Sequence, residues 1–260
     1  MYKTDYHMHT IFSDGRAEPE DYLLPAIKAG LQEIGFSDHI TLFLERQQWN
    51  MDPAGINQYI ERMMSVKEKA RGISVRIGLE VDYFPGREEE IKEYLEPLPL
   101  DYIIGSVHYQ GEFSVDEGPE YYKIKNVDRI YEEYFRTVSL AAESGLFDII
   151  GHCDLVRIYG FRPHNNPEYL YRELAKTFKK SDVAFELNTN GRNRPLADFY
   201  PDRRFLHIFA EENAAVCVNS DAHMPSRVAQ YFDEAYELLR YEGFSEMAVF
   251  ENRKRKMIPF

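Results

Sequence analysis

Only two cysteines, Cys153 and Cys217, occur in 260 residues, too few for a disulfide framework. No apolar run approaches 18 residues, which removes a membrane-spanning helix from the reading. The start, MYKTDYHMHT, lacks the basic-then-apolar layout of a secretory signal. No GxGxxG or GxxxxGK[ST] follows the first strand-like stretch, which counts against a nucleotide-binding fold. Positive charge is short: 31 Lys and Arg stand against 44 Asp and Glu, a net charge of −13. Such a chain is a poor candidate for wrapping nucleic acid. It also lacks low-complexity tracts and long linkers. Residues 1–260 therefore read as one domain of ordinary globular composition, 44% hydrophobic and 29% charged. The absences together predict a cytoplasmic protein. The one basic run, Arg253-Lys254-Arg255-Lys256, reads as the solvated end of a helix.

What is present is a rhythm. Strand-like apolar runs fall near 3–7, 32–37, 74–80, 101–107, 147–151, 183–188 and 214–219. Helical periodicity fills 18–30, 53–70, 87–96, 126–145, 167–180, 202–213 and 226–241. Glu18-Pro19, Asp52-Pro53 and Asn166-Pro167 mark helix starts. Strands alternating with helices predict parallel pairing and right-handed crossovers. Seven such units predict a closed α/β barrel, with an open doubly wound sheet as the alternative.

The strand ends carry the chemistry. The first ends in His7 and His9, with Asp14 on the next loop. The second ends in Ser37-Asp38-His39, the third in Glu80, the fourth in His108, the fifth in His152 and the seventh in Asp221-Ala222-His223. Six of the eight histidines lie at these ends, where parallel barrels place their functional groups. Two histidines spaced two apart on a strand share a face. Six imidazoles with Asp14, Glu80 and Asp221 exceed the four or so donors that one zinc-like ion takes. They predict a centre of two or three divalent ions. Mixed imidazole and carboxylate donors suit Zn, Mn or Fe rather than Ca or Mg.

In that order, His-x-His, Ser-Asp-His, Gly-x-Glu, Ser-x-His, Gly-His-x-Asp and Ser-Asp-Ala-His resemble the PHP (polymerase and histidinol phosphatase) superfamily. The motifs run from residue 7 to 223. The resemblance implies a distorted (β/α)7 barrel with three metal ions. By motif, His7, His9, Glu80 and Asp221 would hold the first. Asp14, His39 and His223 would hold the second. Glu80 would bridge to a third, held by His108 and His152. Asp38 competes with Asp14 for its place, or orients a ligand from behind.

FSDG after the first motif, HCDLVRIYG (152–160) and ELNTNGRNRPLADFYP (186–201) resemble the histidinol-phosphate phosphatase branch. That implies hydrolysis of L-histidinol phosphate, a step of histidine biosynthesis, with a small phosphate ester as the partner. On the sixth strand Val183, Phe185 and Leu187 share one face, and Glu186 and Asn188 the other. If the first set meets the helices, Glu186 points inward and needs a partner, either an arginine or a metal-held water. It reads as an orienting residue. Asn190 to Arg194 would form a loop over the site. Guanidinium groups match phosphate oxygens. Arg194 resembles the family's phosphate-binding arginine. Arg157 and Arg192 are further substrate-binding candidates, with Asn190 beside them.

The mechanism expected is attack by a metal-activated hydroxide, with Arg194 offsetting charge and Asp221 or His223 supplying the proton to the leaving alkoxide. His207 reads as structural, His164 as near the mouth, and Cys153 and Cys217 as buried thiols. Trp49 and Phe43 lie in a loop that reads as a lid. The rivals are a PHP phosphoesterase acting on a nucleotide, a phosphotyrosine protein or another small phosphate, and a non-catalytic metal-binding module. Oligomeric state is not legible.

Overall fold

The computed structural model describes residues 2–44 and 49–260. Seven parallel strands line up in chain order: β1 (Thr4–Asp5), β2 (Glu33–Phe36), β3 (Ser74–Asp82), β4 (Tyr102–Ser106), β5 (Ile149–Ile150), β6 (Ala184–Asn188) and β7 (Val216–Asn219). His39–Ile40 prolongs β2 alongside β3, with His39 opposite Glu80. Each strand pairs with its sequence neighbour, as in Ile34 with Val75 and Asn219 with Asn188. An open doubly wound sheet would break that order.

The barrel closes through a single parallel bridge, Met8 with Ala222. His9 N donates to Ala222 O at 3.0 Å and Ala222 N to His7 O at 3.1 Å. Alternation along a strand then turns His7, His9, Asp221 and His223 to the same side, opposite Met8 and Ala222. The seam of the barrel is thus also part of its functional rim.

Among the described residues, seven helices of six residues or more cover the outside: α1 (Pro19–Lys28), α2 (Ile56–Lys69), α3 (Glu88–Leu95), α4 (Val127–Glu143), α5 (Glu168–Ser181), α6 (Leu206–Glu211) and α7 (Phe232–Tyr241). Glu18 and Asp21 form a capping box at the start of α1, with Pro19 in the first turn. Asn126 caps α4 by accepting from Arg129 N at 3.2 Å. The buried stripe of α4, including Ile130, Tyr134, Val138 and Ala141, follows the helical repeat. The last helix is shorter than its expected span of 226–241. Pro225–Arg227 forms a separate 3-10 turn, and Ala229 and Tyr231 adopt left-handed φ of 54° and 59° before the helix begins. Inside the barrel, the Tyr102 ring lies where Cβ atoms on Gly35 and Gly78 would stand, 2.4 Å away in each case. Only glycine lets that ring fill the interior.

The basic run at 253–256 is not a helix end. Strand β8 (Glu246–Glu251) and strand β9 (Lys254–Pro259) form an antiparallel hairpin, with Glu251 opposite Lys254. Asn252 and Arg253 make its two-residue turn, both at positive φ (49° and 60°). The turn docks under the barrel: Arg253 N donates to Asp101 O at 2.9 Å, and its guanidinium meets Asp148 and Leu146 O. Asp101 and Asp148 immediately precede or lie just before β4 and β5, so the hairpin covers the floor and leaves the opposite rim open. Among the described residues, no helix is long and apolar enough to cross a membrane.

Candidate metal centre and substrate cavity

Glu80 sits at the middle of the rim, on the face of β3 that it shares with Asp82. One of its oxygens is 3.1 Å from His7 Nε2, 2.7 Å from His39 Nδ1 and 3.6 Å from His9 Nε2. The other is 3.0 Å from His152 Nε2 and 3.7 Å from His108 Nε2, and accepts from Ser106 Oγ at 2.6 Å. Four overlapping groups of donor atoms result, each within 4.8 Å of one another. They are His9, Asp14, His39 and His223; His7, Glu80 and His152; His7, His9 and Asp221; and His39, Glu80 and His108. All nine sequence-predicted donors are thereby brought together. Two of them, His152 (φ 20°) and Asp221 (φ 50°), hold left-handed backbone, strain of the kind that clusters at functional sites.

The donors fit metal ions. His7 Nε2, both His9 ring nitrogens, Asp14 Oδ1, Glu80 Oε2 and His152 Nδ1 are buried with no hydrogen-bond partner. Leaving such groups unsatisfied is costly, and coordination satisfies them. Around them stands a layer that aims the rings. Glu186 accepts from His7 Nδ1 at 2.9 Å, from His152 N at 2.7 Å, and from the amides of Asn188 and Asn219 at 2.7 and 2.9 Å. The partners of this buried carboxylate are therefore an imidazole and N–H groups, with no arginine among them. Asp82 accepts from His108 Nδ1 at 2.8 Å. His223 Nδ1 donates to Asp221 O at 3.0 Å. Asn188 and Asn190 both donate to Asp221 Oδ2 at 3.2 Å, which leaves Oδ1 facing His9 at 3.2 Å. Carboxylates behind ligating imidazoles are what a metal centre uses to fix ring orientation.

Charge is dense here. Burial works to raise the pKa of Glu80, but His39 and His7 hold it well below the usual carboxylate range. Burial acts the same way on Asp221, and His7 and His9 outweigh it. Burial works to lower His39, yet Glu80 and Asp14 push it up to about 9. His108 is likewise lowered by burial and raised, to about 10, by Asp82. His9 goes the other way: burial, then His39 and His223, take it down to about 3.

Asp38 stands apart from these groups. It accepts from Thr10 N, Thr10 Oγ1, Ser13 N and Ser13 Oγ. Its carboxylate ties down the 9–14 loop, and Asp14 is the one beside His39 and His223, 3.8 and 3.2 Å away.

Above the centre opens a cavity of about 230 Å³. Asn190 and Arg194 line it together with Asp14, His39, His108, His152, Asp221 and His223. The rest of the wall is Trp49, Leu155, Ile158, Tyr200, Asp116 and Glu117. Arg157 and Arg192, read from sequence as substrate contacts, are elsewhere. Arg157 is buried against Asp154 (2.8 Å), Asp198 (2.9 Å) and Asp202 (3.4 Å) and donates to Phe199 O. Its donors brace the chain that follows β6. Arg192 turns outward to Glu234 at 3.3 Å, over the Phe199 and Tyr231 rings. His164 is exposed and away from the cavity, and His207 lies on α6. Cys153 and Cys217 are free, buried thiols whose pKa burial drives up. Trp49 packs edge-on to His39 at 5.1 Å, whereas Phe43 packs on Phe84. The expected lid falls partly on residues 45–48, outside those described.

Several contributors escaped sequence reasoning. Asp82 lies two residues after Glu80 on one strand, so its shared face was readable from period-two alternation. Asp116 and Glu117 come from the loop after β4, and no local pattern points to them.

The PHP domain family model matches residues 5–190. A probable histidinol-phosphatase of Deinococcus radiodurans is 33% identical over 262 residues, covering 98% of both chains. The histidinol-phosphatase of Lactococcus lactis is 27% identical over 98% of this chain and 96% of its own. The fold matches a crystal structure of histidinol phosphate phosphatase from Lactococcus lactis, complexed with zinc, L-histidinol and phosphate. The TM-score is 0.83 at 25% identity, over 98% of each chain.

Proposed function

The chain belongs to the PHP domain family, in its histidinol-phosphatase branch, and on that premise we propose that it hydrolyses L-histidinol phosphate to L-histidinol and phosphate. The observation that carries the reading is the composition of one cavity. Its lining includes Asp14, His39, His108, His152, Asp221 and His223 of the donor cluster and the guanidinium of Arg194, which forms no ion pair among the described residues. The same lining holds Trp49, Leu155 and Ile158 with Asp116 and Glu117. A phosphate joined to a cationic, aromatic organic group matches this lining.

We assign two or three divalent ions to the floor, zinc first, with manganese or iron as alternatives. His7, His9, Glu80 and Asp221 form one set of donors, Asp14, His39 and His223 a second, and Glu80, His108 and His152 a third. When bound, the ions supply positive charge to the phosphoryl oxygens and acidify the water that attacks phosphorus. The protein groups do the rest. Glu186 keeps the His7 proton on Nδ1, and Asp82 does so for His108, so that each Nε2 faces inward. Arg194 binds the phosphoryl group with a fork of donors. Asn190 steadies Asp221, and Asp221 and His223 stand at the cavity edge where the leaving alkoxide takes its proton. Residues 1–260 act as one domain around one continuous core. The two free thiols suit a reducing cytoplasm.

Chelation tests the metal requirement. Protein stripped of metal is expected to lose turnover of L-histidinol phosphate and to regain it with Zn, Mn or Fe, but poorly with Ca. Full turnover by stripped protein would exclude this mechanism.

A further inference from the structure

A second cavity, of about 320 Å³, adjoins the first through Asp14, Asn190, Asp221 and His223, and Trp49, Asp116 and Glu117 do not line it. It shares Arg194 with the first cavity and adds Arg16 and Arg227. The only carboxylates that line it, Asp14 and Asp221, belong to the metal-donor set. In a chain with net charge −13, a lobe with three guanidinium groups and no other acid is a local inversion of sign. Among the described residues, the Arg16 and Arg194 side chains form no ion pair. Arg227 is held by a neutral group, donating to Gln230 Oε1 at 3.1 Å.

The backbone places these arginines deliberately. Arg16 N donates to His223 O at 2.9 Å. The preceding Gly15 lies so close to the His9 carbonyl that a Cβ would stand 2.1 Å from its oxygen. A side chain at position 15 would therefore lift Arg16 off the rim. Arg227 ends the 3-10 turn after His223, and Gln230 beside it is anchored to Ser220 O at 2.9 Å.

Building on the hydrolase reading, we infer that Arg16 and Arg227, with Arg194, form a phosphate-release lobe: a site for product phosphate at the end of the joined cavities that Trp49, Asp116 and Glu117 do not line. In an in-line displacement the two products part in opposite directions along the reacting bond. The wall of Asp116, Glu117 and Trp49 repels an oxyanion and retains a cationic alcohol. The arginine lobe does the reverse.

The test uses full-length, zinc-loaded protein as wild type, Arg16→Gln, Arg227→Gln and the double variant, with zinc content measured in each. Calorimetric titration with inorganic phosphate gives its affinity without any turnover. Competition against L-histidinol phosphate gives the phosphate inhibition constant beside KM. The double variant is expected to weaken phosphate in both measurements by about tenfold, the scale of one or two charge-assisted contacts, while KM rises less than about threefold. Unchanged phosphate affinity would overturn the assignment. So would equal rises in KM and in the inhibition constant, which would put these arginines on the substrate's own phosphoryl group. A wild type that turns over no L-histidinol phosphate would sink the hydrolase reading instead, and the calorimetric arm would still decide this one.

Discussion

Among the described residues Arg194 forms no ion pair on the wall of an acidic cavity, whereas Arg157 is enclosed by three aspartates. That contrast predicts their variants. Arg194→Ala should keep its metals and its fold but lose roughly 2–4 kcal/mol of transition-state binding, about 30- to 1000-fold in kcat/KM. Arg194→Lys should recover only part, because an ammonium cannot reproduce the fork. Steady-state kinetics with metal analysis decides it, and rates within about twofold of wild type for the alanine variant would take Arg194 out of the site. The imidazoles give a second prediction. His39 and His108, raised to about 9 and 10, hold protons at pH 7.5 in metal-free protein, and ligands must shed them to bind metal. Zinc affinity should therefore climb with pH through the neutral range, with more than one proton released per chain at pH 7.5. Calorimetry in buffers of different ionisation enthalpy reads this directly, and zero release would contradict it. The convergence of these nine side chains was legible because strand ends are local features. The fate of Arg157 and Arg192 was not, because Asp198, Asp202 and Glu234 reach them only through the fold.

Among the elements, the seven strand-helix units were readable from apolar periodicity, with ends displaced by a few residues. The terminal hairpin was not. Its turn is Asn252-Arg253, where a two-residue hairpin usually signals itself with Asn-Gly, and four consecutive basic residues hid the alternation of β9. The left-handed Arg253 is held there by Asp101 and Asp148 on the barrel floor, a constraint absent from any local window. Phe250, buried edge-on to Tyr6 at 5.9 Å, anchors the hairpin. Phe250→Ala should cost about 3–5 kcal/mol of stability. Urea denaturation measures it. Because the floor and the rim are opposite ends of the strands, kcat per folded molecule should stay within about twofold. A loss below about 1 kcal/mol would mean that the hairpin is not part of the core.

At the scale of the molecule, every barrel strand but β1 and β7 meets its neighbours through a ladder on both sides, and among the described residues the circle closes where Met8 bridges Ala222. The donors come from β3 itself and from the segments that leave β1, β2, β4, β5 and β7, with Glu186 and Arg194 from β6 and its loop. No fragment of the barrel holds a complete centre. Closure of the barrel was legible as seven repeats, but the bridge that makes it was not, since it joins residues more than 200 positions apart.

The central claim is that this centre and its two-sided cavity hydrolyse L-histidinol phosphate. The most direct measurement is phosphate release by zinc-loaded protein across a panel of L-histidinol phosphate, nucleoside monophosphates, phosphotyrosine peptide and glycerol phosphate, at matched metal content. The account predicts that L-histidinol phosphate leads in kcat/KM by about 100-fold or more, the scale of two matched polar contacts. A nucleotide, phosphopeptide or neutral ester hydrolysed as efficiently would contradict it.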